Sequence, residues 1–123
     1  MSFAWRELLD IADALAEIKL NVSQEALFRS AISRAYYAAF GTARAQAGVL
    51  RASTRKSAAE HGELVAFYAK RFGDTGEQVS VLLNRMRTFR NAADYDATFE
   101  DVGAICQVAL KDAHNLLDLL ATL

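Results

Sequence analysis

The sequence predicts an all-α protein, an up-and-down bundle of four long helices plus one additional helix. Three observations carry that expectation. The 123 residues contain no proline and only six glycines, too little punctuation for the turns of a β-rich chain. Hydrophobic residues make up 53% of the chain, too many for disorder and enough for a core at this length. Apolar residues also recur at spacings of three and four in successive stretches, the period of an amphipathic helix. With no internal repeat, linker or low-complexity tract, residues 1–123 read as one domain.

The first helix is expected from about Phe3 to Leu20, with Trp5, Leu8, Leu9, Ala12, Leu15, Ala16 and Leu20 on its apolar stripe. Asn21 stops it, and Ser23 is placed to cap a long second helix reaching about Gly48. The core stripe of that helix runs through Leu27 or Phe28, Ile32, Tyr36, Phe40, Ala43 and Ala47. Ala31, Ala35, Ala38 and Ala39 lie beside it and leave room for a close neighbour. Val49 to Ser57 is polar and basic without a period and reads as a loop. A third helix follows from about Ala58 to Phe72, carrying Leu64, Val65, Phe67, Tyr68 and Phe72, and Gly73-Asp74 ends it. Thr75 to Gln78 has the form of a capping box for a fourth helix with Val79, Leu82, Leu83, Met86 and Phe89, ending near Ala92-Ala93. Thr98 is placed to cap the last helix, with Glu100 and Asp101 in its first turn. That helix presents Val102, Ile105, Val108 or Ala109, Ala113, Leu116, Leu117 and Leu120.

Several function classes fall away on composition. One cysteine allows neither a disulfide framework nor a multi-cysteine metal site. Apolar runs are short and broken by charge, so no membrane span is expected. The N-terminal residues carry Arg6, Glu7 and Asp10 where a leader would be apolar. A cytoplasmic location is the resulting expectation. Neither His61 nor His114 follows a glutamate by three residues, and there is no His-Glu-x-x-His, P-loop or glycine-rich dinucleotide signature. No metal and no cofactor are therefore expected. Cys106 reads as a small core residue and His114 as a structural or surface histidine. An amphipathic bundle also leaves a helix-in-groove adaptor role open.

The net charge of −1 conceals a segregation. Residues 1–25 carry −3, residues 26–93 carry +7 and residues 94–123 carry −5. Most of the basic residues are arginines, whose planar donor fork suits phosphate. On the second helix Arg34, Tyr37, Gly41 and Arg44 share a face, as do Arg87 and Arg90 on the fourth, with Asp94 next in register. A basic face interleaved with tyrosine suits RNA phosphates and stacked bases. The same pattern equally describes a solvated face whose charges pair with the acidic end helices.

Two segments carry a family resemblance: Arg29 to Phe40, RSAISRAYYAAF, and Arg85 to Asp96, RMRTFRNAADYD. In that order in a helical chain of this length, with His61 and Phe67 between them, they resemble the HEPN family (higher eukaryotes and prokaryotes nucleotide-binding domain). The likeness is greatest to its small stand-alone prokaryotic members and spans almost the whole chain. It implies a bundle of four or five helices that often forms a homodimer. It also implies a toxin–antitoxin or defence setting, with a minimal nucleotidyltransferase as partner and RNA or a nucleotide as ligand. Ribonuclease members carry an Arg, four to six residues, then His; Arg would stabilise the phosphorane charge and His would move a proton, without metal.

This chain departs from that motif. Arg90-Asn91 is followed by Ala92, Ala93, Asp94 and Tyr95, with no histidine at the motif's place. Asp94 is a weak substitute, because an ordinary aspartate is ionised at neutral pH. Two readings of this segment stay open. In one, Arg34, Tyr37, Arg87 and Arg90 bind nucleotide or RNA, and Tyr95 stands where some family members accept a transferred nucleotide. In the other, Asp94 bridges Arg87 or Arg90 to hold the helix end while Tyr95 packs. His61 is either a surface histidine at a helix N-terminus or a neighbour of the arginine cluster. Arg55 and His61 match the motif's spacing literally, but at the wrong place in the chain.

Three functions follow. The first is a HEPN-type nucleotide- or RNA-binding and interaction domain, paired with a minimal nucleotidyltransferase. The second is a metal-independent endoribonuclease using Arg90 with Asp94 or a relocated His61 as acid-base. The third is a purely structural helical partner.

Overall fold

A computed structural model describes residues 3–50 and 59–123. The described residues form five helices and no strand: α1 (Glu7–Glu17), α2 (Gln24–Leu50), α3 (Glu60–Arg71), α4 (Gly73–Tyr95) and α5 (Val102–Ala121). Their lengths are 11, 27, 12, 23 and 20 residues. Three helices are therefore long and two short, in place of the expected four long and one. None is long and apolar enough to cross a membrane.

Helix α2 is the central element and packs against α1, α4 and α5, while α3 packs mainly on α4. The alanine stripe explains the close approaches. Ala31, Ala35, Ala38, Ala39, Ala43 and Ala47 are all fully buried, so neighbouring helices meet the α2 backbone without bulky side chains between. Leu9, Ile32, Leu64, Val79, Leu83, Met86, Leu116 and Leu120 fill the spaces around it. At the expected alternatives, Leu27 is buried with Phe28 packed partly over the core, and Ala109 is buried while Val108 faces solvent. Cys106 is buried, which pushes its thiol up to about 11 and removes it as a nucleophile at neutral pH. Tyr68 is buried and donates its hydroxyl to the Ala43 carbonyl, and Ser80 donates to the Val65 carbonyl, tying α3 to both neighbours.

The helix ends follow local chemistry in one place and tertiary constraint in two. Ser23 caps α2 as expected, its hydroxyl accepting the Ala26 amide at 3.1 Å. Thr75 does not cap α4. Gly73, with φ of +57°, turns the chain sharply and α4 starts there, three residues early, leaving Thr75 inside the helix. Thr98 does not cap α5 either. Asp101 takes a left-handed backbone, φ +56° and ψ +32°, which a helix cannot run through, so α5 begins at Val102. Helix α1 is shorter than its periodicity suggests, and Leu20 is exposed beyond it. Val49 and Leu50 continue α2; the rest of the expected loop, with Arg55, lies outside the described residues.

Candidate nucleotide-binding site

Three helices converge on one aromatic and basic cluster. From α2 come Ser33, Arg34, Tyr36, Tyr37 and Phe40; from α3 comes His61; from α4 come Asn84, Arg87, Arg90 and Asp94. Arg90 is at its centre. Its guanidinium carbon lies 5.1 Å from the Tyr36 ring centroid, 5.6 Å from Tyr37 and 6.0 Å from Tyr95. Contacts of this kind hold a partly desolvated cation over ring faces. Its one ion pair among the described residues is long, Nη1 to Asp94 Oδ2 at 3.7 Å. The side chain is 14% exposed, and its buried Nε has no hydrogen-bond partner among the described residues. An unpaired buried donor costs about 1–3 kcal/mol, so this arginine is held by its rings rather than by a carboxylate fork.

His61 is the clearest correction to the expectation of a surface residue. It is 7% exposed and lies between α2 and α4. Tyr36 donates its hydroxyl to His61 Nδ1 at 2.8 Å, and Nε2 meets Asn84 Oδ1 at 3.1 Å. One tautomer satisfies both contacts: a neutral ring with its proton on Nε2, donating to Asn84. The ring also stacks on Phe40, 6.3 Å between centroids and 7° between planes. Burial lowers the pKa of His61, and the positive charges of Arg87 and Arg90 lower it further against the opposing pull of the Asn84 contact. Burial likewise pushes the Tyr36 phenol up to about 12 despite both arginines. Both groups are therefore neutral at physiological pH.

Asp94 takes the bridging position. It pairs with Arg90 and accepts a hydrogen bond from Ser33 at 3.3 Å. Tyr95 does not pack as that alternative expected; it is 76% exposed at the last residue of α4. Arg29 fastens this corner. Its Nη1 donates to the carbonyls of Ala93 at 3.1 Å and Asp96 at 2.7 Å, satisfying the end of α4 and complementing its dipole. Beside it, Arg29, Ser30, Ser33, Arg34 and Asp94 line a cleft of about 530 Å³ against Ile11 and Leu15 of α1.

The two expected arginine faces fare differently. On α2, Trp5 lies directly on Gly41, so close that any β-carbon there would meet its ring at 2.3 Å. Arg44 pairs with the buried Glu60 at the start of α3. The stripe from Arg34 to Arg44 is therefore interrupted by an aromatic cover and an ion pair. Arg85 is bound bidentately by Asp112 of α5, at 2.8 and 2.6 Å. Arg34 and Arg87 have no carboxylate partner among the described residues, and the Arg34 guanidinium carbon lies 5.2 Å from the Tyr37 centroid. His114 pairs with Asp13 at 2.9 Å, well away from this cluster in the sequence.

The cluster thus unites His61, Arg87, Arg90, Asp94, Arg34 and Tyr37, with Tyr95 at its edge. Tyr36 and Asn84 also belong to the cluster through their contacts with His61; sequence reasoning treated the first as core and passed over the second. Asn84 carried a signal, since it precedes Arg87 by three residues and shares its face of α4. Among the described residues no three His, Cys, Asp or Glu side chains gather as metal ligands.

The described residues thus form an all-helical fold with an arginine seated among tyrosine rings where α2 and α4 meet. A family model for the HEPN domain matches residues 5–123, essentially the whole chain, and the chain belongs to that family of helical nucleotide- and RNA-related domains. No curated protein and no solved structure matches it.

Proposed function

We propose that the chain is a nucleotide- or RNA-binding HEPN domain that works as the interaction partner of a minimal nucleotidyltransferase in a toxin–antitoxin or defence pair. The observation that supports binding is the state of its arginines. Arg90 is presented by three tyrosine rings with one long ion pair, while Arg34 and Arg87 keep their charge uncompensated by any described carboxylate. Phosphates would meet Arg87 and Arg90, with bases stacking on Tyr37 or Tyr95. The adjoining 530 Å³ cleft is large enough for one nucleoside. A homodimer belongs to the same proposal, as does acceptance of a nucleotide by the exposed Tyr95. Phosphate added there would lie beside Arg90, which favours the modified state electrostatically.

The endoribonuclease reading has less support. His61 has both ring nitrogens engaged and a lowered pKa, so it offers neither a free base nor a ready acid. Asp94 is occupied by Arg90 and Ser33. The purely structural reading leaves the uncompensated Arg34 and Arg87 without a reason.

Anisotropy of a labelled single-stranded RNA 12-mer, titrated at 50 and 200 mM salt, tests the binding arm. Binding should weaken steeply with salt. Arg90→Ala should lose on the order of tenfold in affinity, and Arg87→Ala about threefold with a salt slope reduced by about one. Wild-type affinity independent of salt would sink the arginine face. Affinity capture with mass spectrometry tests the paired arm, read for a nucleotidyltransferase and for nucleotide mass on Tyr95. Finding neither removes that arm and leaves the binding arm standing.

A further inference from the structure

At the other end of α4 lies a groove that the site above does not use. It runs between the first half of α4 and the last turns of α5, encloses about 810 Å³, and has Val81, Leu82 and Leu119 as its apolar surface. Its polar lining includes Asp74 and Glu77 from α4 and Asp118 from α5, and among the described residues no lysine or arginine. Val81 is 62% exposed, a large aliphatic side chain facing water in a helix whose other aliphatics are mostly covered. None of the three carboxylates has a cationic partner among the described residues, although Arg85 one turn further along α4 is taken by Asp112.

Local helix chemistry accounts for only part of this charge. Asp74 sits in the first turn of α4, where a carboxylate complements the dipole. Asp118 sits near the opposite pole of α5, whose last turn contains no basic residue. A carboxylate there adds to the partial negative charge of the free carbonyls and is unfavourable for the isolated helix. The groove thus combines exposed aliphatic surface with a field that is negative on both walls.

We infer that this groove docks a cationic amphipathic helix of a partner protein. Charge complementarity selects the occupant: lysines or arginines would meet Asp74, Glu77 and Asp118. The trough between two helices suits a third, whose aliphatic residues at i and i+3 or i+4 would cover Val81, Leu82 and Leu119. Asp74 to Leu82 is about 12 Å of helix at 1.5 Å per residue, so the contact involves about two turns of the partner. The inference stands independently of RNA binding. It places the protein partner on the first half of α4 and leaves the arginines of the second half free.

The probe is a 14-residue helical peptide of leucine and lysine in amphipathic register, with a leucine–glutamate peptide as its charge-reversed control. The full chain, isotopically labelled, is titrated with each and followed by NMR and by anisotropy at two salt concentrations. The lysine peptide should bind with shifts concentrated at Val81, Leu82 and Leu119. Val81→Glu and Asp118→Lys should each weaken it about tenfold while leaving RNA affinity and melting temperature near wild type. Equal binding of the two peptides, shifts spread over other acidic surfaces, or indifference to both substitutions would overturn the inference. So would spermidine displacing the peptide at equal concentration, which would mark a small-cation site. A concentration-dependent dimer abolished by Val81→Glu would assign the groove to a second copy of the chain instead.

Discussion

The two halves of α4 share one continuous helix and differ in everything that faces outward. The first half, Gly73 to about Leu82, carries Asp74 and Glu77 beside Val81 and Leu82. The second half carries Asn84, Arg87 and Arg90 and meets Tyr36, Tyr37 and His61. The Arg85–Asp112 pair stands at the junction. The halves also pack by different means. The first approaches α3 through the absent side chain of Gly76, where a β-carbon would come within 2.1 Å of the Tyr68 carbonyl oxygen. The second is held by hydrogen bonds and ring contacts. The first half adds the Ser80 bond to the Val65 carbonyl but leans more on steric fit, and the second more on polar and ring contacts, so damage to each should look different.

The largest expected effect falls on the first half. Gly76→Ala forces a backbone oxygen to move, and its gain in helix propensity offsets only about 1 kcal/mol. The net loss should be about 2–3 kcal/mol, or about 8–12 °C in melting temperature by calorimetry. RNA affinity measured well below the melting point should survive, because the arginines lie on the other half. Equal losses in stability and RNA binding would show that the halves are one unit.

A smaller effect is expected from Tyr36→Phe. It keeps the ring under Arg90 but removes the hydroxyl that satisfies His61 Nδ1. Leaving that acceptor unpaired should cost about 1–2 kcal/mol in urea unfolding. An unchanged midpoint would mean that the hydrogen bond contributes nothing net.

The smallest effect is a pH dependence. The folded-state pKa of His61 is below its unfolded value of about 6.5. Between those values the unfolded chain binds more protons, so stability rises with pH across that window. The contribution is complete above about pH 6.5 and is lost as pH falls toward the folded pKa. His61→Gln, which cannot titrate, should flatten the melting temperature between pH 5.5 and 7.5 relative to wild type. An identical slope in both proteins would show that His61 is not the source of the pH dependence.

Much of the fold was legible because its causes are local. The alanine stripe of α2, the Ser23 cap and the burial of Cys106 depend on neighbours a few residues away or on a helical period. Arg87, Arg90 and Asp94 were readable as one face for the same reason. The misplaced starts of α4 and α5 show the limit. Thr75 and Thr98 satisfy a capping pattern, but left-handed residues at Gly73 and Asp101 set where the helices begin, and those depend on how adjacent helices must dock.

Sequence by itself determined that this chain is a helical bundle with a basic middle between acidic ends, since period and charge order are written along the chain. Tertiary structure alone decided which charges remain available. It buried His61 between Tyr36 and Asn84, covered Gly41 with Trp5, paired Arg44 with Glu60 and Arg85 with Asp112, and left Arg34 and Arg87 without such partners among the described residues. The physical reason is distance. A charge is neutralised or a ring nitrogen satisfied only by atoms within about 3–4 Å, and only the packing of the helices brings residues 16 or more positions apart that close.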